Sequence, residues 1–145
     1  MKCVIQRVKD ATLTVEDKLV SHIDDGLLIY WGVAKGDTED QVDYLCKKIV
    51  KERLFTDANG KQNLSSYDTK PQLMVVSQFT LYANLFKGNR PSYDGAARGE
   101  EAEPLYLKAI QTFKDLGFDV VGGVFGAHME IKYTNIGPLT MILEK

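Results

Sequence analysis

The sequence predicts one α/β domain in which two main helices pack on a mixed, curved, partly barrel-like β-sheet. Three observations predict it. Apolar and polar residues alternate through the first 23 positions and again from 128 to 144, the pattern of strands with one wet face. The continuous apolar runs from Leu27 to Val33 and from Leu73 to Val76 suit strands covered on both faces. Two further stretches, 38–52 and 101–116, repeat apolar residues at helical intervals. With 145 residues, 44% of them hydrophobic, the chain can bury a core of its own, and nothing divides residues 1–145 into two domains.

In order, strands are expected near 2–8, 11–16 and 18–23, followed by a central buried strand over 27–33. Thr38 and Gln41 have capping-box spacing and open a helix over 38–52, whose inner face is Val42, Leu45, Cys46, Ile49 and Val50. Asp57-Ala58-Asn59-Gly60 is a turn, and 61–70 reads as polar loop. The strand at 73–78 delivers Ser77, Gln78 and Thr80 at its exit. Residues 84–99 form a long connection rich in Gly, Asn, Pro and Ser, and such a loop in a small domain usually carries function. The second helix, over 101–116, buries Leu105, Tyr106, Ala109, Ile110, Phe113 and Leu116 and stops at Gly117. Strands near 119–125, 128–134 and 138–144 finish the chain, the last two as an antiparallel hairpin bent at Gly137-Pro138. There are no internal repeats.

A net charge of −2 argues against nonspecific coating of nucleic acid, so any RNA contact has to be local. Lys47, Lys48, Lys51 and Arg53 suit the solvated C-terminal end of a helix, where cations complement the dipole. Lys87, Arg90 and Arg98 are more suggestive, because Lys87 and Arg90 flank Gly88 and Asn89 in the loop after Ser77 and could reach phosphates. Cys3 and Cys46 lack C-x-x-C spacing and fit two reduced, buried thiols rather than a zinc site or disulfide framework. Neither a signal peptide nor an 18-residue apolar run is present, so a soluble intracellular protein is expected.

The residues offer little for covalent catalysis. His22 and His128 stand outside any nucleophile-base motif, and no G-x-S-x-G elbow surrounds Ser77. Thr80 lacks an evident base and suits binding or orientation better than attack. Phe125 reads as structural, whereas Met129 suits the wall of a pocket for a flat ligand. At Gly137-Pro138 the missing Cβ and N–H allow close approach of a ligand or another backbone. A cis bond is possible there, but Gly-Pro on its own reads as a trans turn proline, since only about 5% of X–Pro bonds in folded proteins are cis.

Taken together, Ser77 to Tyr82, Lys87 to Tyr93, Phe125 to Met129 and Asn135 to Thr140 closely resemble the D-aminoacyl-tRNA deacylase family in content, order and spacing. The resemblance runs from Met1-Lys2-Cys3-Val4-Ile5-Gln6-Arg7-Val8 to the final strand. It implies a hydrolase that cleaves the ester between a D-amino acid and the 3′-terminal ribose of tRNA, and that also clears mischarged glycyl-tRNA. It implies translation quality control in the cytoplasm by a homodimer, with no metal and no cofactor. The implied catalytic segment is Ser77, Gln78, Phe79 and Thr80, with backbone N–H groups around Gln78 and Phe79 facing the developing oxyanion. Gly137, Pro138, Met129, Asn135 and Thr140 are the implied residues of substrate binding and chiral selection. The Gly137-Pro138 bond is implied to be cis and to enter the partner's pocket, and Lys87 and Arg90 to touch tRNA.

Three positions depart from the family pattern: Ile136 stands where Asp is usual, Asn89 where Arg is usual and Leu139 where Val is usual. Ile136 removes a turn-favouring acceptor and keeps in play a sister group with a trans Gly-Pro bond that acts on certain L-aminoacyl-tRNAs. The intact Ser77-Gln78-Phe79-Thr80 favours the D-specific branch. Two other classes compete, a nucleic-acid-binding module and a scaffold whose Gly-Pro segment makes a dimer contact. The first is poorly served by a chain with no basic tail.

Overall fold

A computed structural model describes residues 1–86 and 88–145. Strands β1 (Lys2–Val15) and β2 (Lys18–Gly32) form a long antiparallel hairpin. Glu16 and Asp17 turn it with φ of 49° and 60°, the left-handed pair that suits the twist of a two-residue hairpin. The expected breaks at 8–11 and 23–27 are absent. Each pair of expected strands is one strand, and in β1 the interruption is a bulge at Asp10, whose φ is 51°.

Helix α1 (Glu39–Lys51) starts where expected, and both the Thr38 N–H (2.7 Å) and the Thr38 hydroxyl (2.6 Å) donate to Gln41 Oε1. The expected polar loop at 61–70 instead holds strand β4 (Gln62–Leu64), paired with β3 (Phe55–Thr56), and a one-turn helix α2 (Ser66–Thr69). These pieces are too short to show a period, so their pattern was silent. Strand β5 (Gln72–Ser77) runs parallel to β2, and a single 3₁₀ turn, Phe79–Tyr82, follows it. Helix α3 (Gly99–Asp115) ends at Gly117, where φ is 85° and the Phe118 N–H reaches back to the Phe113 carbonyl at 3.2 Å. Strand β6 (Val120–Gly122) adds in parallel to β5.

The C-terminal hairpin does not form. Residues 130–144 are one strand, β7 (Glu130–Glu144), and both halves pair antiparallel with β1. Gln6 faces Thr140 and Val8 faces Asn135, so Arg7 alone stands opposite residues 136 to 139. Gly137-Pro138 is therefore the crest of a wide bulge in an edge strand rather than a hairpin bend.

The five-stranded sheet has the order β6-β5-β2-β1-β7 and is open, with β6 and β7 as its edges. Helices α1 and α3 lie on one face. There Ile5, Leu27, Ile29, Trp31, Leu73 and Val75 meet Leu45, Ile49, Tyr106, Ala109 and Phe113. The other face carries a second cluster, Val8, Ala11, Leu13, Ile23, Leu28, Met74 and Val76. Burial on both faces explains why β5 reads as an unbroken apolar run. Cys3 and Cys46 are free and buried, and burial raises both thiols well above their ordinary range. No helix among the described residues is long and apolar enough to cross a membrane.

Candidate active site

The exit of β5 is one wall of a cavity of about 390 Å³. Ser77, the last residue of β5, pairs with Trp31 on β2, and its position in the alternation turns it to the helix side with Leu73 and Val75. Ser77, Gln78 and Phe79 form this wall, and Phe125, Gly126, Ala127, His128 and Met129 form the facing one. The floor is Trp31, Ala102 and Tyr106. Phe125 takes both roles open to it: it packs on the core, its ring 5.9 Å from that of Tyr106, and it also lines the cavity. Met129 lines the wall, as its flexible thioether suggests.

The Tyr106 hydroxyl ties this floor together. It donates to the Val75 carbonyl at 2.9 Å and accepts from the Gly123 N–H at 2.9 Å. Burial pushes its pKa up to about 12, against a smaller lowering by the Gly123 N–H. The hydroxyl stays protonated, so its role here is structural.

Of the two expected backbone donors, one is already engaged. The Gln78 N–H donates to the Trp31 carbonyl at 2.8 Å, extending the β5–β2 ladder by one bond. The Phe79 N–H, at the start of the 3₁₀ turn, has no acceptor among the described residues. Thr80 is exposed, and its hydroxyl donates to Gln78 Oε1 at 2.7 Å. That bond fixes the Gln78 side chain at the cavity mouth and leaves Thr80 with an amide oxygen, a poor base, as its partner.

The remaining expected site residues lie elsewhere in the chain. Gly137 and Pro138, joined by a cis bond, crown the β7 bulge. From Leu73, which is in line with Arg7, Ser77 is about 13 Å along the strands, and β7 is three strands, about 14 Å, away from β5. The bulge therefore does not reach the cavity of its own chain. The Asn135 side chain spans it: Nδ2 donates to the Leu139 carbonyl at 3.1 Å and Oδ1 accepts from the Leu139 N–H at 3.0 Å. Thr140 is next to it and accepts from Gln6 Nε2 at 3.0 Å. Below the crest, Arg7 donates to the Leu54 carbonyl at 2.8 Å, and its Nη2 would be 3.0 Å from a Cβ placed on Gly137. Ile136 is half-buried and lines a second cavity with Arg7, Val8, Asp24, Asp25 and Phe55. Arg90 is exposed on the loop after the 3₁₀ turn, and Lys87 falls outside the described residues.

Sequence reasoning missed Tyr30, Trp31, Ala102 and Tyr106 as cavity residues. Their apolar periodicity marks them as core, and only the packing of α3 against β5 shows that they also face a void.

Residues 4–144 match the family model described as D-Tyr-tRNA(Tyr) deacylase. The chain belongs to this family. It is 45% identical over 144 residues to a D-aminoacyl-tRNA deacylase of Thermosipho africanus, covering 99% of this chain and 97% of the relative. It is 48% identical to a protein of the same name from Desulfatibacillum aliphaticivorans, covering 99% of each chain. Among solved structures, a c-Myc DNA unwinding element binding protein superposes with a TM-score of 0.93 at 34% identity, over 100% of this chain and 99% of the other. A probable eukaryotic D-amino acid tRNA deacylase gives 0.84 at 14% identity over 98% and 97%, a likeness of fold alone.

Proposed function

We propose that the protein hydrolyses the ester of D-aminoacyl-tRNA, adding water across the acyl bond to release the free D-amino acid and tRNA, and so guards the chirality of translation in the cytoplasm. The observation that carries this reading is the family match over residues 4–144, which spans the whole Ser77–Phe79 cavity wall and the Gly137-Pro138 bulge.

An aminoacyl ester is an activated acyl compound, so positioning and oxyanion stabilisation suffice without a strong protein nucleophile. The Phe79 N–H faces the oxyanion, Gln78 held by Thr80 orients the substrate, and water or the ribose 2′-hydroxyl makes the attack. Selection of the D form is assigned to Gly137-Pro138 of a second copy, because the bulge lies too far from its own cavity. An edge strand with exposed Met141 and Ile142, the latter 70% exposed, favours such a homodimer. Main-chain carbonyls close to the substrate Cα would exclude an L side chain while tolerating many D side chains and glycine. Asn135 and Thr140 hold this bulge, Met129 lines the wall beside the terminal nucleoside, and Lys87 and Arg90 contact tRNA phosphates.

Incubation with D-Tyr-tRNA, L-Tyr-tRNA and L-Ala-tRNA tests the reading. Rapid loss of the D ester alone supports it, cleavage of L-Ala-tRNA points to the sister subtype, and loss of none removes the enzymatic assignment. The name of the structural relative at 34% identity raises DNA binding as a second reading. Retention of that DNA by this protein, with every ester left intact, would favour it.

A further inference from the structure

Phe86 is 98% exposed, more than any other large apolar side chain among the described residues, and its neighbour Leu85 is 66% exposed. Large apolar side chains set side by side in water mark contact surfaces. The segment is not a loose end. The Asn84 N–H donates to the Ser92 carbonyl at 2.7 Å, the Ser92 N–H returns to the Asn84 carbonyl at 3.1 Å, and the Phe86 N–H donates to Asn84 Oδ1 at 3.0 Å. The loop is thus closed at its base, with an Asx turn presenting 85 and 86 outward.

Its position relates it to the cavity. The base at Asn84 is two residues beyond the 3₁₀ turn whose Phe79 walls the cavity, and Phe79 packs edge-on against Tyr93, ring centres 4.9 Å apart, at the other end of the loop. Phe79 and Tyr93 are themselves 56% and 40% exposed. Aromatic surface therefore runs outward from the cavity mouth, with exposed Arg90 on the same loop. Exposed flat rings and a cation carried on one loop suit stacked bases and their phosphates better than a peptide.

We propose that Phe86 is a stacking platform for an unpaired nucleobase of the RNA 3′ end, just upstream of the nucleotide held in the cavity. This rests on the deacylase reading. Stacking accepts any base, so the platform adds affinity for single-stranded ends without sequence preference.

The test compares wild type, F86A and F86W on D-Tyr-tRNA and on D-tyrosyl-adenosine, which lacks the upstream nucleotides. F86A is expected to raise KM for the tRNA about tenfold with kcat unchanged, F86W to restore it, and all three to match on the adenosine ester. Equal KM for F86A and wild type on tRNA overturns the proposal, as does an equal loss on both substrates. Loss of self-association by F86A in sedimentation also overturns it, by making the patch a protein contact. A second readout is independent of hydrolysis: a short RNA with 2-aminopurine one position before its 3′ terminus. Quenching by wild type but not by F86A supports the platform, even if no ester is cleaved and the deacylase reading falls. Equal quenching by both, or no binding, overturns it whatever the activity.

Discussion

The side-chain amide of Asn135 pairs with the backbone of Leu139 through both its donor and its acceptor, at 3.1 and 3.0 Å, as a neighbouring strand would. Four residues of β7 face only Arg7, so the β1 ladder cannot hold this segment and Asn135 substitutes for it. Asn135→Ala removes both bonds, about 1–2 kcal/mol in all, and frees the crest it spans. The expected outcome is a small fall in Tm with a much larger loss of discrimination between D-Tyr-tRNA and L-Tyr-tRNA. Asn135→Asp keeps the acceptor but sets a carboxylate against the Leu139 carbonyl, so it should fail to restore discrimination. Unchanged D/L ratios in both variants would show that the bulge does not select.

Gly137 has φ of 120°, a region L side chains rarely adopt, and a Cβ there would be 3.0 Å from Arg7 Nη2 and 3.2 Å from the Leu139 N. Gly137→Ala is expected to lose about 1–3 kcal/mol through backbone conformation and to lower kcat/KM for D-Tyr-tRNA at least tenfold. Thermal melting and single-turnover deacylation measure the two effects separately. The alanine protein should remain folded, since the crest is exposed and outside both apolar clusters.

The Thr80 hydroxyl donates to Gln78 Oε1 at 2.7 Å, which makes it a positioning group for that amide. Thr80→Ala should lower kcat about tenfold or less, and Thr80→Ser should recover most of it. Removing a covalent nucleophile would instead lower the rate by several powers of ten. Rapid quench followed by mass measurement should find no acyl-enzyme, and a trapped adduct on Thr80 would reverse this assignment.

The parts of the fold legible in sequence are those with a period long enough to count. Helix α1 falls one residue inside its expected limits at each end, because Thr38, Gln41 and five core residues all point the same way. The C-terminal hairpin fails for a physical reason: Gly-Pro between two alternating runs looks alike in a hairpin and in a bulge, and only the pairing of both halves with β1 separates them. At the site, Ser77 and Gln78 are marked by polarity at the end of an apolar strand. Trp31 and Tyr106 are masked by the same apolar spacing that makes them core. The engagement of the Gln78 N–H by Trp31 was likewise illegible, since backbone donors look the same in every sequence.

Tyr106 links the floor of the cavity to stability through pH. Its hydroxyl bonds both the Val75 carbonyl and the Gly123 N–H, which also bond each other at 3.1 Å, so Tyr106→Phe leaves both partnered and should cost only about 0.5–1.5 kcal/mol at neutral pH. In the folded chain burial raises this group to about 12, above its ordinary value of 10. A raised pKa means that the folded state holds the proton more tightly, so the stability tied to it is full below pH 10 and is lost as pH rises through about 12. The difference in unfolding free energy between wild type and Tyr106→Phe should therefore be constant from pH 7 to 9 and shrink above 10. Urea melts of both proteins at each pH cancel the titration of every group they share. A difference that stays flat to pH 12 would mean that burial does not hold this proton more tightly in the fold.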